Sequence, residues 1–160
     1  MSPKHGFNNA QMRRSGRINV VAIIAVFAVL MLVVVLFFSK QSLSNAGGQF
    51  MDALARGDVD KLTSLSLVGN EGSDQIKKQW EFATQTAGKN YSFRWNITSE
   101  DQVDPNDGSV KLQVERNVGN GSSYPENFAL PMVKVDGLWK VDVANISRDM
   151  YPGMPKANAG

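Results

Sequence analysis

Tyr91-Ser92-Phe93-Arg94-Trp95-Asn96-Ile97-Thr98 sets an apolar residue beside a polar one four times in succession. Successive side chains of a strand point to opposite faces, so this period of two predicts a strand with one face buried and the other in water. Asp104-Pro105-Asn106-Asp107-Gly108 follows, built from turn-forming residues, and beyond it Val110, Leu112 and Val114 alternate with Lys111, Gln113 and Glu115 as an antiparallel partner. After a loop of Gly119, Asn120, Gly121, Ser122 and Ser123, Phe128 and Leu130 open a third strand. There the apolar phase moves from even to odd numbers, to Val133 and Val135, with Pro131 at the change, which predicts a β-bulge in this strand. Asp136-Gly137 reads as a two-residue hairpin turn, and Trp139, Val141 and Val143 as the last strand.

Upstream of Lys89 the period lengthens. Phe50, Met51, Leu54 and Ala55 mark a helical face that Gly57-Asp58 interrupts, and a second short helix carries Leu62, Leu65 and Val68. A third helix is predicted over 74–87, with Ile76, Trp80 and Ala83 at helical spacing and Gly88 as its stop. Asp52, Asp58, Asp60 and Asp74 are read as helix-end acids that cap free amides or oppose the dipole.

Further upstream, the nineteen residues from Val20 to Phe38 contain nothing polar. A helix rises about 1.5 Å per residue and the hydrocarbon core is roughly 30 Å thick, so such a run predicts a transmembrane helix with every amide satisfied internally. A cleaved signal peptide is the competing reading, with Ser44-Asn45-Ala46 as a small-residue site, but its apolar part usually runs only about 7–15 residues. Lys4, Arg13, Arg14 and Arg17 precede the run and no acid does, which places the N-terminus in the cytoplasm and the rest in the periplasm or outside the cell. The expected organisation is a basic tail over 1–17, a membrane helix over 18–38 and a linker over 39–47. An exported domain over 48–146 and a flexible tail over 147–160 complete it.

Composition limits what the exported part can do. From Ser39 onward fifteen acids face thirteen bases, so the formal net charge of +2 comes from the tail. A nearly neutral domain argues against nucleic acid, whose phosphates need a concentrated basic face. Cysteine is absent and the one histidine, His5, lies in the tail, which removes thiol chemistry, histidine triads and most metal ligation from the domain. No cofactor or metal is expected. Gly119-Asn120-Gly121 lacks the strand-to-helix setting of a phosphate loop and reads as a turn.

Three helices before a curved antiparallel sheet of four strands make an α+β layout in which the helices cover one concave face. In this order, Phe50-Met51-Asp52-Ala53-Leu54-Ala55-Arg56-Gly57-Asp58 and Val133-Lys134-Val135-Asp136-Gly137-Leu138-Trp139-Lys140-Val141 resemble the nuclear transport factor two-like and ketosteroid isomerase-like superfamily of cone-shaped domains. The likeness covers roughly residues 48–146 and implies a small cone-like domain behind a membrane anchor. It also implies a possible interior site, because the isomerases of that superfamily use a carboxylate base with a Tyr and an acid inside the cone. Tyr91 could supply the phenol; no acid on the matching face can be named from the sequence.

Trp80, Tyr91, Phe93, Trp95 and Trp139 all fall on the apolar phase of their elements, so they read as core, or as the lining of a small apolar pocket if the cone is not filled. Three functions follow. The expected one is a non-catalytic accessory or assembly subunit of a membrane complex, with the bilayer and other membrane proteins as partners and the 119–123 loop, Gly119 to Ser123, as a docking rim. Its layout of tail, single span and exported cone resembles the inner-membrane assembly component of type IV secretion machines. The alternatives are a binding module for a small apolar ligand and an isomerase-like enzyme. Protease added to spheroplasts is expected to digest the domain and spare the tail, and replacing Arg13, Arg14 and Arg17 together should scramble the orientation; a protected domain would end the case for export.

Overall fold

The computed structural model describes residues 42–116 and 124–157. The basic tail, the expected membrane helix over 18–38, the docking loop Gly119 to Ser123 and the last three residues lie outside them. Among the described residues no helix is long and apolar enough to cross a membrane.

Helix α1 spans Leu43–Arg56. Ser42 caps it, its side chain accepting from the Asn45 amide at 3.1 Å, and Gly57 ends it in the left-handed conformation. The helix therefore starts inside the segment expected to be linker, because Leu43, Ala46, Gly47, Phe50 and Leu54 continue one buried stripe back to the cap. Helix α2, Val59–Leu65, is capped by the Asp58 carboxylate, and α3, Ser73–Phe82, runs on as a wider π-helical turn over Ala83–Ala87. Of the four acids read as helix-end groups, Asp58 is a cap and Asp74 lies in the first turn of α3. Asp60, in the first turn of α2, also pairs with Lys77 across to α3 at 2.7 Å, whereas Asp52 is simply exposed in mid-helix.

The sheet has five strands: β1, Ser66–Leu67; β2, Phe93–Gln102; β3, Asp107–Arg116; β4, Pro125–Val135; and β5, Leu138–Asp142. Their order is β1-β5-β4-β3-β2, antiparallel throughout except that β1 runs parallel to β5. The four-stranded expectation missed β1 because two residues carry no period. What makes it a strand is tertiary: Ser66 pairs with Val141, and its hydroxyl donates to the Leu62 carbonyl at 2.7 Å and accepts from the Trp80 indole at 3.0 Å.

The expected bulge in β4 is not there. Ser109 pairs with Pro131 in an unbroken ladder, and Leu130 and Met132 keep the inward phase. Met132 carries that phase through, and Val133 and Val135 face the other way; pairing with β5 ends at Met132, so Pro131 sits just beyond that ladder. The bulge falls in β2 instead, where Ile97 pairs with Leu112 but Ser99 with Lys111, leaving Thr98 as the extra residue. One added residue reverses the facing of everything after it. Glu100 consequently stands opposite the fully buried Val110, on the helix-covered face. The hairpin turn is as expected, with Asp136 and Gly137 both at positive φ, 51° and 80°.

Glu100 uses its position to accept from the Ser44 amide at 2.8 Å and the Ser44 hydroxyl at 2.5 Å. No acid of α1 itself lies in its first turn, so β2 supplies the anion that the free amides and the dipole favour. These hydrogen bonds hold the Glu100 carboxyl below the usual glutamate range. A depressed folded-state pKa contributes stability that is present above the ordinary value of about 4.3 and lost as the pH falls through the folded value. Glu100→Gln should therefore be less stable than the parent at pH 7, and the difference should shrink as the pH falls below the ordinary glutamate value in urea unfolding; a difference that stays constant would exclude the clasp.

Candidate functional site

The first residues of β2 and the last of β3 lie side by side at one end of the concave face, Phe93 opposite Arg116. Tyr91, two residues before Phe93 and on the same phase, adds a phenol to that end. A third ring arrives from the far end of the chain: Tyr151 meets Tyr91 edge-on at 5.2 Å between centroids and Phe93 edge-on at 5.9 Å. Edge-to-face contacts of this kind add about 0.5–1.5 kcal/mol beyond the area they bury.

The residues that bring Tyr151 there were expected to be a flexible tail. After β5 the chain makes a 3-10 turn over Val143–Asn145, and Ile146, Met150, Tyr151 and Met154 are all buried in the main core. The Tyr91 hydroxyl donates to the Met150 carbonyl at 3.1 Å, and the Arg116 guanidinium donates to the Asp149 carbonyl at 2.8 Å. Gly88 is required here by proximity: a Cβ on it would collide with the Tyr151 hydroxyl, and at φ −99° its backbone needs no glycine. The segment after Asp142 thus closes the end of the concave face that the helices leave open.

Arg116 also pairs with Glu126, which stands opposite Val114 on the same face. Glu126 is the inner-face acid at the Tyr91 end that could not be named from the sequence, since it precedes the apolar part of its strand. Burial raises the Tyr91 phenol above its ordinary value, with the Arg116 charge opposing; burial likewise raises Tyr151. Both phenols are therefore neutral hydrogen-bonding groups at physiological pH. The two carboxylates placed on the helix-covered face are both engaged, Glu126 by Arg116 and Glu100 by Ser44. Among the described residues no group of acids could hold a metal ion.

The five aromatics singled out from the sequence do not share one place. Tyr91 and Phe93 touch, at 5.9 Å between centroids. Trp80 is fully buried against Phe50, edge-on at 5.8 Å, with its indole bound to Ser66. Trp95 is half-buried close to Gly48 of α1. Trp139 is buried on β5 with the Lys134 ammonium 5.4 Å above its ring. Tyr151, Arg116 and Glu126 are the members of the cluster that the sequence reading did not single out. The available signal was three apolar residues, Met150, Tyr151 and Met154, in a stretch whose Pro and Gly suggested disorder.

No family model matches the chain, and no curated protein matches it in sequence. Solved structures do match. A domain of unknown function with a cystatin-like fold from Nostoc punctiforme superposes with a TM-score of 0.50 at 13% identity, over 65% of this chain and 73% of that one. A ketosteroid isomerase-like protein from Erwinia carotovora atroseptica reaches a TM-score of 0.44 at 14% identity, over 62% and 87% of the two chains. An NTF-2 like protein of unknown function from Shewanella oneidensis also reaches 0.44 at 14%, over 60% and 88%. At these identities the likeness concerns the fold, an α+β cone of three helices on a curved mixed sheet.

The Tyr91 hydroxyl is a hinge between the sheet and the returning segment. Tyr91→Phe is expected to cost about 0.5–1.5 kcal/mol and to speed amide exchange between residues 149 and 154 more than in the centre of β3. Uniform acceleration across the domain, or none, would show that the bond does not hold that segment.

Proposed function

We propose that this chain is a membrane-anchored member of the nuclear transport factor two-like superfamily that acts as a non-catalytic docking subunit of a membrane complex. The observation that carries the reading is the closed end of the concave face. Tyr151 packs edge-on against Tyr91, the Met150 carbonyl accepts from the Tyr91 hydroxyl, and Glu126, the carboxylate on that part of the face, is bound to the Arg116 guanidinium. A general base needs a free carboxylate within hydrogen-bond reach of the proton it takes, and an isomerase needs room for the substrate beside it.

Docking asks less of the domain. Only Ser39, Lys40 and Gln41 separate the apolar run from the Ser42 cap, so a retained anchor would confine the domain to a thin layer beside the bilayer. Short tethers give effective concentrations that reach the millimolar range, and weak, small interfaces then suffice. The orientation rests on the arginine bias before Val20.

In a strain lacking the gene, the domain exported without its anchor is expected to accumulate, fold and leave the deletion phenotype in place, while the full chain restores growth or assembly. Full complementation by the released domain would overturn the reading. So would turnover of a substrate by the purified protein that is lost on Glu126→Gln.

A further inference from the structure

One flank of α3 is made by Gln75, Lys78, Gln79 and Phe82, spaced as one helical stripe. Beside it runs the end of the returning segment, and between the two lies a groove of about 430 Å³ with Met154 and Lys156 on its far wall. Its size falls within the roughly 300–1,000 Å³ of pockets that hold ligands or anchor side chains. Phe82 is 56% exposed here, although it ends a helix whose Ile76 and Trp80 are buried.

The far wall is held in place. The Arg148 guanidinium donates to the Met154 carbonyl at 2.9 Å and the Pro155 carbonyl at 2.6 Å, and the Lys156 amide donates to the Gln79 side-chain oxygen at 2.6 Å. A groove whose walls are fixed before binding loses little entropy when it is filled. Its charge has one sign: Lys78 and Lys156 line it beside an apolar floor, no carboxylate lines it, and among the described residues neither lysine is in an ion pair, Asp60 being taken by Lys77.

We propose that this groove is the docking site of the domain, and that its occupant is an acidic segment of a partner protein carrying one large apolar side chain. The apolar side chain lies on Phe82 and Met154 while carboxylates before and after it meet Lys78 and Lys156. The proposal rests on the docking reading above and supplies its surface and partner chemistry; the 119–123 loop is not needed for it. Complementary charge sets specificity and encounter rate, and the buried anchor supplies the affinity.

The test uses the full chain in nanodiscs of phosphatidylcholine and the fluorescein-labelled peptide Glu-Asp-Ser-Phe-Asp-Glu, followed by anisotropy. The acidic peptide is expected to bind and to weaken at least tenfold in the Lys78→Glu, Lys156→Glu double variant and in Phe82→Ser. It should also weaken when Phe of the peptide becomes Ser, and when salt is raised from 50 to 500 mM. The double variant should bind the peptide with Lys in place of its acids. Both lysines are exposed, and an unchanged far-ultraviolet spectrum and melting temperature would show that the variants fold; Lys78→Ala gives a milder second reading. Absence of binding at millimolar peptide, equal binding of the basic peptide by the parent, or binding indifferent to these substitutions would overturn the proposal. Phosphatidylserine vesicles that bind with the same dependence on the lysines but none on Phe82 would replace it with a lipid surface. A concentration-dependent dimer lost in the same variants would replace it with a second copy of the chain. If the double variant loses the peptide yet complements the deletion, the groove is wrong while the docking reading, tested separately by anchor release, stands.

Discussion

The concave face of the sheet is longer than the helix laid along it. Fourteen residues of α1 extend about 21 Å at 1.5 Å per residue, whereas the ten of β3 extend about 33 Å. The inward side chains of β2, β3 and β4 form one apolar surface from Val110 to Phe93, so a length of it would face water under α1 alone. Helices α2 and α3 help to cover it beside α1, with Leu62 and Trp80 in the core, and the remaining end is closed by the returning segment through Met150 and Tyr151. Most of the molecule's particular features are answers to that mismatch.

The polar groups near both ends follow from the same geometry. At one end the extra residue at Thr98 turns Glu100 to the helix side, where α1 begins and its free amides need an acceptor. At the other, Arg116 stands opposite Phe93 and has carbonyls of the returning segment within reach, with Glu126 balancing its charge. Each charge is committed to holding one covering element against the sheet. Phenols kept neutral by burial and carboxylates tied to donors make a structural lock between the sheet and its covers.

The returning segment has a second consequence. By passing over the end of α3 it leaves Phe82 beside a new wall, so an element that seals the core on one side builds a groove on the other. Arg148 and Gln79 fix that wall with bonds to its backbone, and neither bond engages the Lys78 or Lys156 ammonium or the Phe82 ring.

Local pattern determined a large part of this protein. Alternation from Tyr91 to Thr98, Asp136-Gly137 in its turn and the buried stripe through Phe50 and Leu54 each reflect a constraint that acts within a few residues, namely pleat, turn geometry or helical pitch. The apolar run from Val20 to Phe38 is read from the sequence alone, its expected helix lying outside the described residues. What only tertiary structure decided was set by partners distant in the chain. Ser66 becomes a strand because Val141 is beside it, and Met132 rather than Val133 faces inward because the ladder with β3 continues unbroken past Pro131. Tyr151 becomes core because the concave face ends in an uncovered Tyr91 and Phe93, sixty and fifty-eight positions earlier. Nothing in the order of Met150, Tyr151, Pro152 and Gly153 states that need, since the apolar surface that creates it belongs to another part of the chain.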